Sequence, residues 1–125
     1  MNCGRQLWSS VGWKPRGRER WNEVLSKSSF VYSAWDGDRL IGVGRILEDG
    51  IMCMFYDIGV LPRYQSRGIG KAIVARLVDQ VRGKNYASIG LFRWEENPGN
   101  EPFYEKFGFR GVPTGMELVE LMQRE

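Results

Sequence analysis

The chain has no histidine and only two cysteines, Cys3 and Cys53. A Ser-His-Asp triad is therefore impossible, and the imidazole and thiolate sets that hold zinc, haem or iron-sulfur clusters are missing, so no metal is expected. Two cysteines make a poor disulfide framework, and the N-terminus lacks the apolar segment of a signal peptide. A reducing cytoplasm is the expected setting. No apolar run approaches the ~18 residues of a membrane-spanning helix, so no membrane partner is expected. Repeats, low-complexity tracts and composition breaks are also lacking. What is there, 125 residues of which 42% are hydrophobic and 26% charged, predicts one soluble domain over residues 1–125. A chain of this size buries about two-thirds of its surface on folding, enough for one core without staples.

The net charge of +3 is unevenly placed: residues 1–20 hold five basic side chains against one acidic, leaving 13 basic and 14 acidic in the remainder. The basic residues Lys14, Arg16, Arg18 and Arg20 sit among Pro15 and Gly17, the composition of a solvated loop. A nucleic-acid binder would interleave basic residues with exposed aromatics across a face, so nucleic acid is not an expected partner.

Residues 4–11 and 19–27 read as short helices. Residues 30–35, rich in β-branched and aromatic side chains, and residues 40–47 read as a hairpin around Asp36-Gly37-Asp38. Residues 51–60 form a third strand, so continuously apolar that both faces should be covered. Ile69, Ile73, Val74, Leu77, Val78 and Val81 then recur on one helical face before Gly83. Residues 86–94 read as a buried strand, and residues 101–107 as a short helix stopped by Gly108. Residues 109–122 read as two strands broken at Pro113-Thr114-Gly115. The fold class is α/β or α+β.

Between the third strand and the long helix lies Val60-Leu61-Pro62-Arg63-Tyr64-Gln65-Ser66-Arg67-Gly68-Ile69-Gly70-Lys71. A strand feeding a glycine turn that opens a helix offers unpaired amides and a helix dipole to an anion such as pyrophosphate. It is neither of two familiar phosphate motifs. The Rossmann fingerprint needs a third glycine where Ile73 stands, and the Walker loop needs Ser or Thr where Ala72 stands.

The stretch Gln65-Ser66-Arg67-Gly68-Ile69-Gly70 resembles the Q/R-x-x-G-x-G/A signature of the GNAT superfamily of acetyl-CoA-dependent N-acetyltransferases. Downstream, Asn97 and, seven residues later, Tyr104 within Phe103-Tyr104-Glu105-Lys106-Phe107-Gly108-Phe109 resemble the family's second cofactor-binding segment. The resemblance covers about residues 30 to 112 and implies a mostly antiparallel twisted sheet with helices on both faces. It further implies that acetyl-CoA is the acyl donor and that a primary amine of a small molecule or peptide is the acceptor. Main-chain groups of Ile58, Gly59 and Val60 would pair with pantetheine, the amides of residues 66–71 would hold the pyrophosphate, and Arg67 and Lys71 would add charge. Asn97 would bond the cofactor arm. However, Pro102 cannot sit deep in a helix, so a helix beginning at Asn100 is expected.

In the same resemblance Tyr104 is the general acid: a phenol of pKa near 10 is protonated at neutral pH and donates to a thiolate whose own pKa is near 8.5. The amine must be neutral to attack, and a lysine-like amine is neutral in only about one part in a thousand near pH 7.4, a cost of about 4 kcal/mol. Where some members carry a basic glutamate stands Met54, leaving Asp57 as candidate base, with Glu95 and Glu96 after the next strand, or water. Cys53, between two methionines, reads as a buried small hydrophobe. Trp13, Tyr32, Arg45 and Trp94 are candidates for lining an acceptor pocket.

Members of the family usually open with a strand, but few residues precede Leu7 here, so the first strand is expected to be absent. Either the chain starts downstream of the usual point or an exposed sheet edge is covered by a partner, as in a homodimer. The alternative function is a non-catalytic module that binds and senses acetyl-CoA.

Overall fold

A computed structural model describes residues 18–92, 100–113 and 115–122. The chain divides into two compact units, Met1–Phe92 and Arg93–Glu125. The first contains α1 (Arg18–Lys27), β1 (Phe30–Asp36), β2 (Arg39–Glu48), β3 (Met52–Val60), a 3-10 turn (Pro62–Tyr64), α2 (Ile69–Val81) and β4 (Ser88–Leu91). One sheet runs β1-β2-β3-β4, antiparallel through β3 and parallel between β3 and β4.

Turn chemistry sets this order. The β1–β2 turn has Gly37 in the left-handed region at φ 59°. At the β2–β3 turn the Asp49 carboxylate accepts the N–H groups of Ile51 (2.9 Å) and Met52 (2.8 Å). Parallel strands cannot be joined by a tight turn, and α2 supplies the crossover between β3 and β4.

The apolar stripe of α2 buries Ile73, Val74, Leu77 and Val81. It lies across β1, β2 and β3, closest over β2. That approach depends on Gly44, where a Cβ would stand 2.8 Å from Ile73 Cγ2 and 2.9 Å from Leu77 Cδ1. Since alternate residues of a strand face opposite ways, Val43 points away from α2. It joins Ile41 and Leu61 in a buried cluster against which Trp21 of α1 packs. The two helices therefore cover opposite faces of the sheet, as expected for the class.

The second unit contains α3 (Asn100–Glu105) and a 3-10 turn (Val119–Leu121). α3 starts at Asn100, where Pro102 falls in the first turn and costs no helical hydrogen bond. It ends in a Schellman motif: Gly108, at φ 96°, donates to the Glu105 carbonyl and Phe109 to that of Tyr104.

Three expectations are corrected. β3 is not covered on both faces: Cys53 and Phe55 are buried, but Met52 is exposed and residues 56–59 are half-buried. Its face away from α2 carries Tyr56 beside Arg45, both of intermediate exposure. β4 has only four ladder residues and none is buried. Residues 109–122 form no strand among the described residues; an extended apolar pattern becomes a strand only where a neighbour takes up its N–H and C=O groups, and no ladder is formed there. The helix expected over residues 4–11 lies outside the described residues.

Candidate cofactor-binding site

β3 changes character halfway along. Its ladder with β4 runs from Met52↔Ser88 to Phe55↔Leu91, and Ile58, Gly59 and Val60 lie beyond that last rung. On the β2 side, Val43 pairs with Gly59 but Arg45 pairs with Tyr56, so Asp57 and Ile58 together oppose Gly44. This is a β-bulge, and Asp57 occupies it at φ 55°, a conformation that Asp tolerates better than most side chains.

The bulge is held electrostatically. Arg45 Nε donates to Asp57 Oδ2 at 2.7 Å, with the side chains 15% and 27% exposed. The other end of the guanidinium donates to Ser28 Oγ at 3.3 Å and lies 5.0 Å from the centre of the Tyr56 ring. Arg45 thus ties the end of α1 to β3.

Past Val60 the chain makes the Pro62–Tyr64 turn and enters α2 through residues 65–68. Ser66 (φ 64°) and Gly68 (φ 84°) are both left-handed. Gly68 is the N-cap of α2 and no side chain caps the helix; the first intrahelical bond is Ala72 N–H to the Gly68 carbonyl at 3.0 Å. The amides of Ile69, Gly70 and Lys71 are therefore without helical acceptors, at the positive end of a 13-residue helix. Left-handed residues just ahead of them turn successive N–H groups toward a common concavity, the shape that holds anions. Arg67 and Lys71 are exposed beside it. Uncapped amides with flanking cations fit a diphosphate.

Gln65, the first residue of the signature, donates its side-chain amide to the Val60 carbonyl at 2.9 Å and closes the loop on itself. The structure also contains a link that sequence reasoning missed. Tyr64 donates its hydroxyl to Asp36 Oδ2 at 2.5 Å, joining the loop to the β1–β2 hairpin across 28 residues of sequence. Asp36 carried only a turn signal, and Tyr64 none.

Of the acceptor-pocket candidates, Tyr32 faces α2 and accepts a hydrogen bond from Gln80 Nε2 at 2.6 Å, whereas Arg45 faces α1. They lie on opposite faces of the sheet and share no pocket. Tyr32 instead lines an open groove of about 420 Å³ between β1 and α2, with Arg67 and Arg76 at its margin. Trp13, Trp94, Glu95, Glu96 and Asn97 lie outside the described residues. Cys53 is buried, as expected, and burial pushes its thiol pKa up.

In the second unit, Tyr104 is half-buried within an aromatic group, its ring 5.0 Å from Phe103 and 5.9 Å from Phe109, both edge-on. Loss of solvent around the phenol pushes its pKa up to about 12, so it is a neutral donor at all physiological pH values.

A four-stranded mixed sheet, a strand that hands over through an uncapped glycine loop to a crossover helix, and helices on both faces define an α/β protein of the acyl-CoA N-acyltransferase class. The family model described as acetyltransferase (GNAT) matches residues 5–109, and the chain belongs to that family. It is 31% identical over 117 residues to the uncharacterized N-acetyltransferase ycf52 of Pyropia yezoensis, covering 90% of this chain and 66% of that protein. The chain thus spans slightly less than two-thirds of the length of this curated relative. A GNAT-family acetyltransferase of Streptococcus pneumoniae superposes with a TM-score of 0.75 at 31% identity, covering 97% of this chain and 89% of that one. A GNAT-family acetyltransferase from Elizabethkingia anophelis, crystallised with acetyl-CoA bound, superposes at 0.61 with 22% identity, over 75% of this chain and 61% of that one.

Proposed function

We propose that the chain transfers the acetyl group of acetyl-CoA to a primary amine of a small molecule or peptide. The observation that carries this is the uncapped start of α2 behind left-handed Ser66 and Gly68, directly after a strand whose last three residues lie beyond its ladder with β4. The loop amides hold the diphosphate, and Ile58 and Gly59 offer main-chain groups to the amide-bearing pantetheine arm. The Val60 carbonyl is already taken by Gln65, and because Leu61 N–H bonds the Ile41 carbonyl of β2, the Val60 N–H faces the opposite edge, toward the ligand.

In the reaction the amine lone pair attacks the thioester carbonyl carbon; the C–N bond forms and the C–S bond breaks. The departing sulfur takes a proton from the Tyr104 hydroxyl, and the tyrosinate recovers one from solvent. The amine must shed its own protons. Asp57, the candidate base, already accepts the Arg45 guanidinium, and a carboxylate held by a cation is a poor proton acceptor. That pairing favours water as the acceptor of the amine proton and leaves Asp57 as the residue that fixes β3 beside the arm.

The test is thiol release from acetyl-CoA against a panel of amines, polyamines and peptide N-termini, with direct titration of acetyl-CoA in parallel. Turnover with at least one amine, reduced about 100-fold in Tyr104→Phe with acetyl-CoA affinity unchanged, is the expected result. Tight binding with no amine acetylated would replace transfer by the binding and sensing of acetyl-CoA, and no binding would overturn both.

A further inference from the structure

Tyr64 occupies a position that no cofactor contact explains. It ends the Pro62–Tyr64 turn, its ring packs against the buried Ile41, Val43 and Leu61 cluster, and its hydroxyl is bonded to Asp36 at the hairpin. Over the same ring stand two cations, with the Arg63 and Arg67 guanidinium carbons 5.6 and 5.5 Å from its centre. Arg67 is the residue between left-handed Ser66 and Gly68.

A guanidinium on an exposed loop would ordinarily sample many rotamers, and its charge would be dispersed in solvent. A ring fixed at one end by the core and at the other by Asp36 gives it a flat, negatively polarised surface on which to rest. The Asp36 carboxylate adds to this, because a hydroxyl that donates to an anion makes its own ring more electron-rich. The hairpin, the tyrosine and the arginine thus form one chain of contacts that ends in the loop itself, at the residue just before Gly68.

We propose that Tyr64, braced by Asp36, is a positioning residue that holds Arg67 at the diphosphate site and so sets selectivity for donors that carry a diphosphate. The inference rests on the reading of residues 66–71 as the diphosphate cradle. Neither Tyr64 nor Asp36 touches the ligand; they act through Arg67.

The experiment compares dissociation constants for acetyl-CoA and for S-acetylpantetheine, which has the same arm and thioester but no diphosphate, measured by calorimetry or competition. No acceptor need be known. In the unaltered protein acetyl-CoA should bind at least 100-fold more tightly. Tyr64→Ala should weaken acetyl-CoA about tenfold and leave S-acetylpantetheine within twofold. Tyr64→Phe, which keeps the ring and its packing, should weaken acetyl-CoA about threefold, and Asp36→Asn, which keeps an oxygen acceptor but removes the anion, should weaken it by a smaller factor, about twofold. Arg67→Ala should match Tyr64→Ala, and the double variant should be no worse than either single one.

Equal weakening of both donors in the folded Tyr64→Phe protein, no change in either, or additive losses in the double variant would overturn the positioning role while leaving the cradle standing. An unaltered protein that binds both donors equally would overturn the cradle itself, and the inference with it.

Discussion

Replacing Gly44 by alanine should destabilise the chain, and replacing Gly42 should not, although both lie on the same face of the same strand. At Gly44 the new methyl would meet Ile73 Cγ2 at 2.8 Å, Leu77 Cδ1 at 2.9 Å and Ile58 Cγ1 at 3.2 Å. Carbon atoms prefer about 3.5–4.0 Å, so the first two contacts are well inside the repulsive wall. Relief is difficult: Ile73 is 4% exposed, Leu77 is fully buried, and Cγ2 is the branch methyl of a stiff β-branched side chain. The helix must lift. Overpacking of this kind costs about 1–3 kcal/mol, offset by about 0.5–1 kcal/mol from the lost backbone freedom of glycine in the unfolded chain. At Gly42 the nearest atom is the flexible Ile73 Cδ1 at 3.1 Å, with Gly59 O and Ile69 Cγ2 at 3.4 Å, so the two effects nearly cancel. Urea unfolding should show the Gly44→Ala midpoint lowered by roughly 0.5–1 M, given a slope of about 1–3 kcal/mol/M. Gly42→Ala should stay within a few tenths of a molar. Adding Leu77→Ala should cost less in the Gly44→Ala background than alone, because it vacates one of the clashing positions. Equal midpoints for the two glycine variants, or a Gly44→Ala protein more stable than the parent, would refute the close-packed contact between α2 and β2.

The Cys53 thiol, buried and with its pKa raised, should resist alkylation in the folded protein and react only on unfolding, with peptide mapping used to separate it from Cys3; rapid native labelling would contradict its placement in β3. Asp57→Ala should lose about 1–2 kcal/mol, from the partly exposed ion pair and from a β-carbon forced into the left-handed region, whereas Asp57→Gly should recover about 1 kcal/mol of that; equal losses in urea unfolding would show that the φ of 55° carries no strain. With Tyr104 raised to about 12, its protonated form persists well above the ordinary tyrosine value, so a general acid at this position loses its proton only as pH rises through 12. For an amine acceptor the rate should therefore climb as the amine deprotonates and hold through pH 10; a decline centred near 10 that Tyr104→Phe abolishes would show an unshifted phenol.

Local pattern was readable where one element supplies its own evidence. α2 showed its buried stripe in the spacing of Ile73, Val74, Leu77 and Val81, and the hairpin and the end of α3 were marked by Gly37 and Gly108, each of which adopts a positive φ. The glycine loop that opens α2 was readable for the same reason, from Gly68 at a positive φ directly ahead of the helix. What escaped depends on partners distant in sequence. Residues 109–122 have strand-like composition, but composition only permits a ladder. Arg45 with Asp57 and Asp36 with Tyr64 are 12 and 28 residues apart, and nothing in their spacing distinguishes them from solvated charges. Gln65 was legible as a signature position, but the bond from its side chain back to the Val60 carbonyl was not. Tyr32 and Arg45, grouped by chemistry as pocket walls, are separated by strand alternation, which the intervening β1–β2 pairing turns into opposite faces of a sheet.

The extra residue in β3 has a consequence for what lengths of chain the fold tolerates. Phe55 sits opposite Ile46 and Val60 opposite Gly42, so both face α2 although they are an odd number of residues apart. Only the bulge reconciles their parity. Removing one residue from the 56–59 stretch would rotate everything beyond it by half a turn of the strand, taking Val60 off the helix and Leu61 out of its cluster together. The hairpin turns at Gly37 and Gly50 are open to insertion because a turn can grow without changing parity on either side. The bulge cannot be shortened that way, so single-residue length variation among related chains should fall in those turns and avoid the segment between Phe55 and the loop.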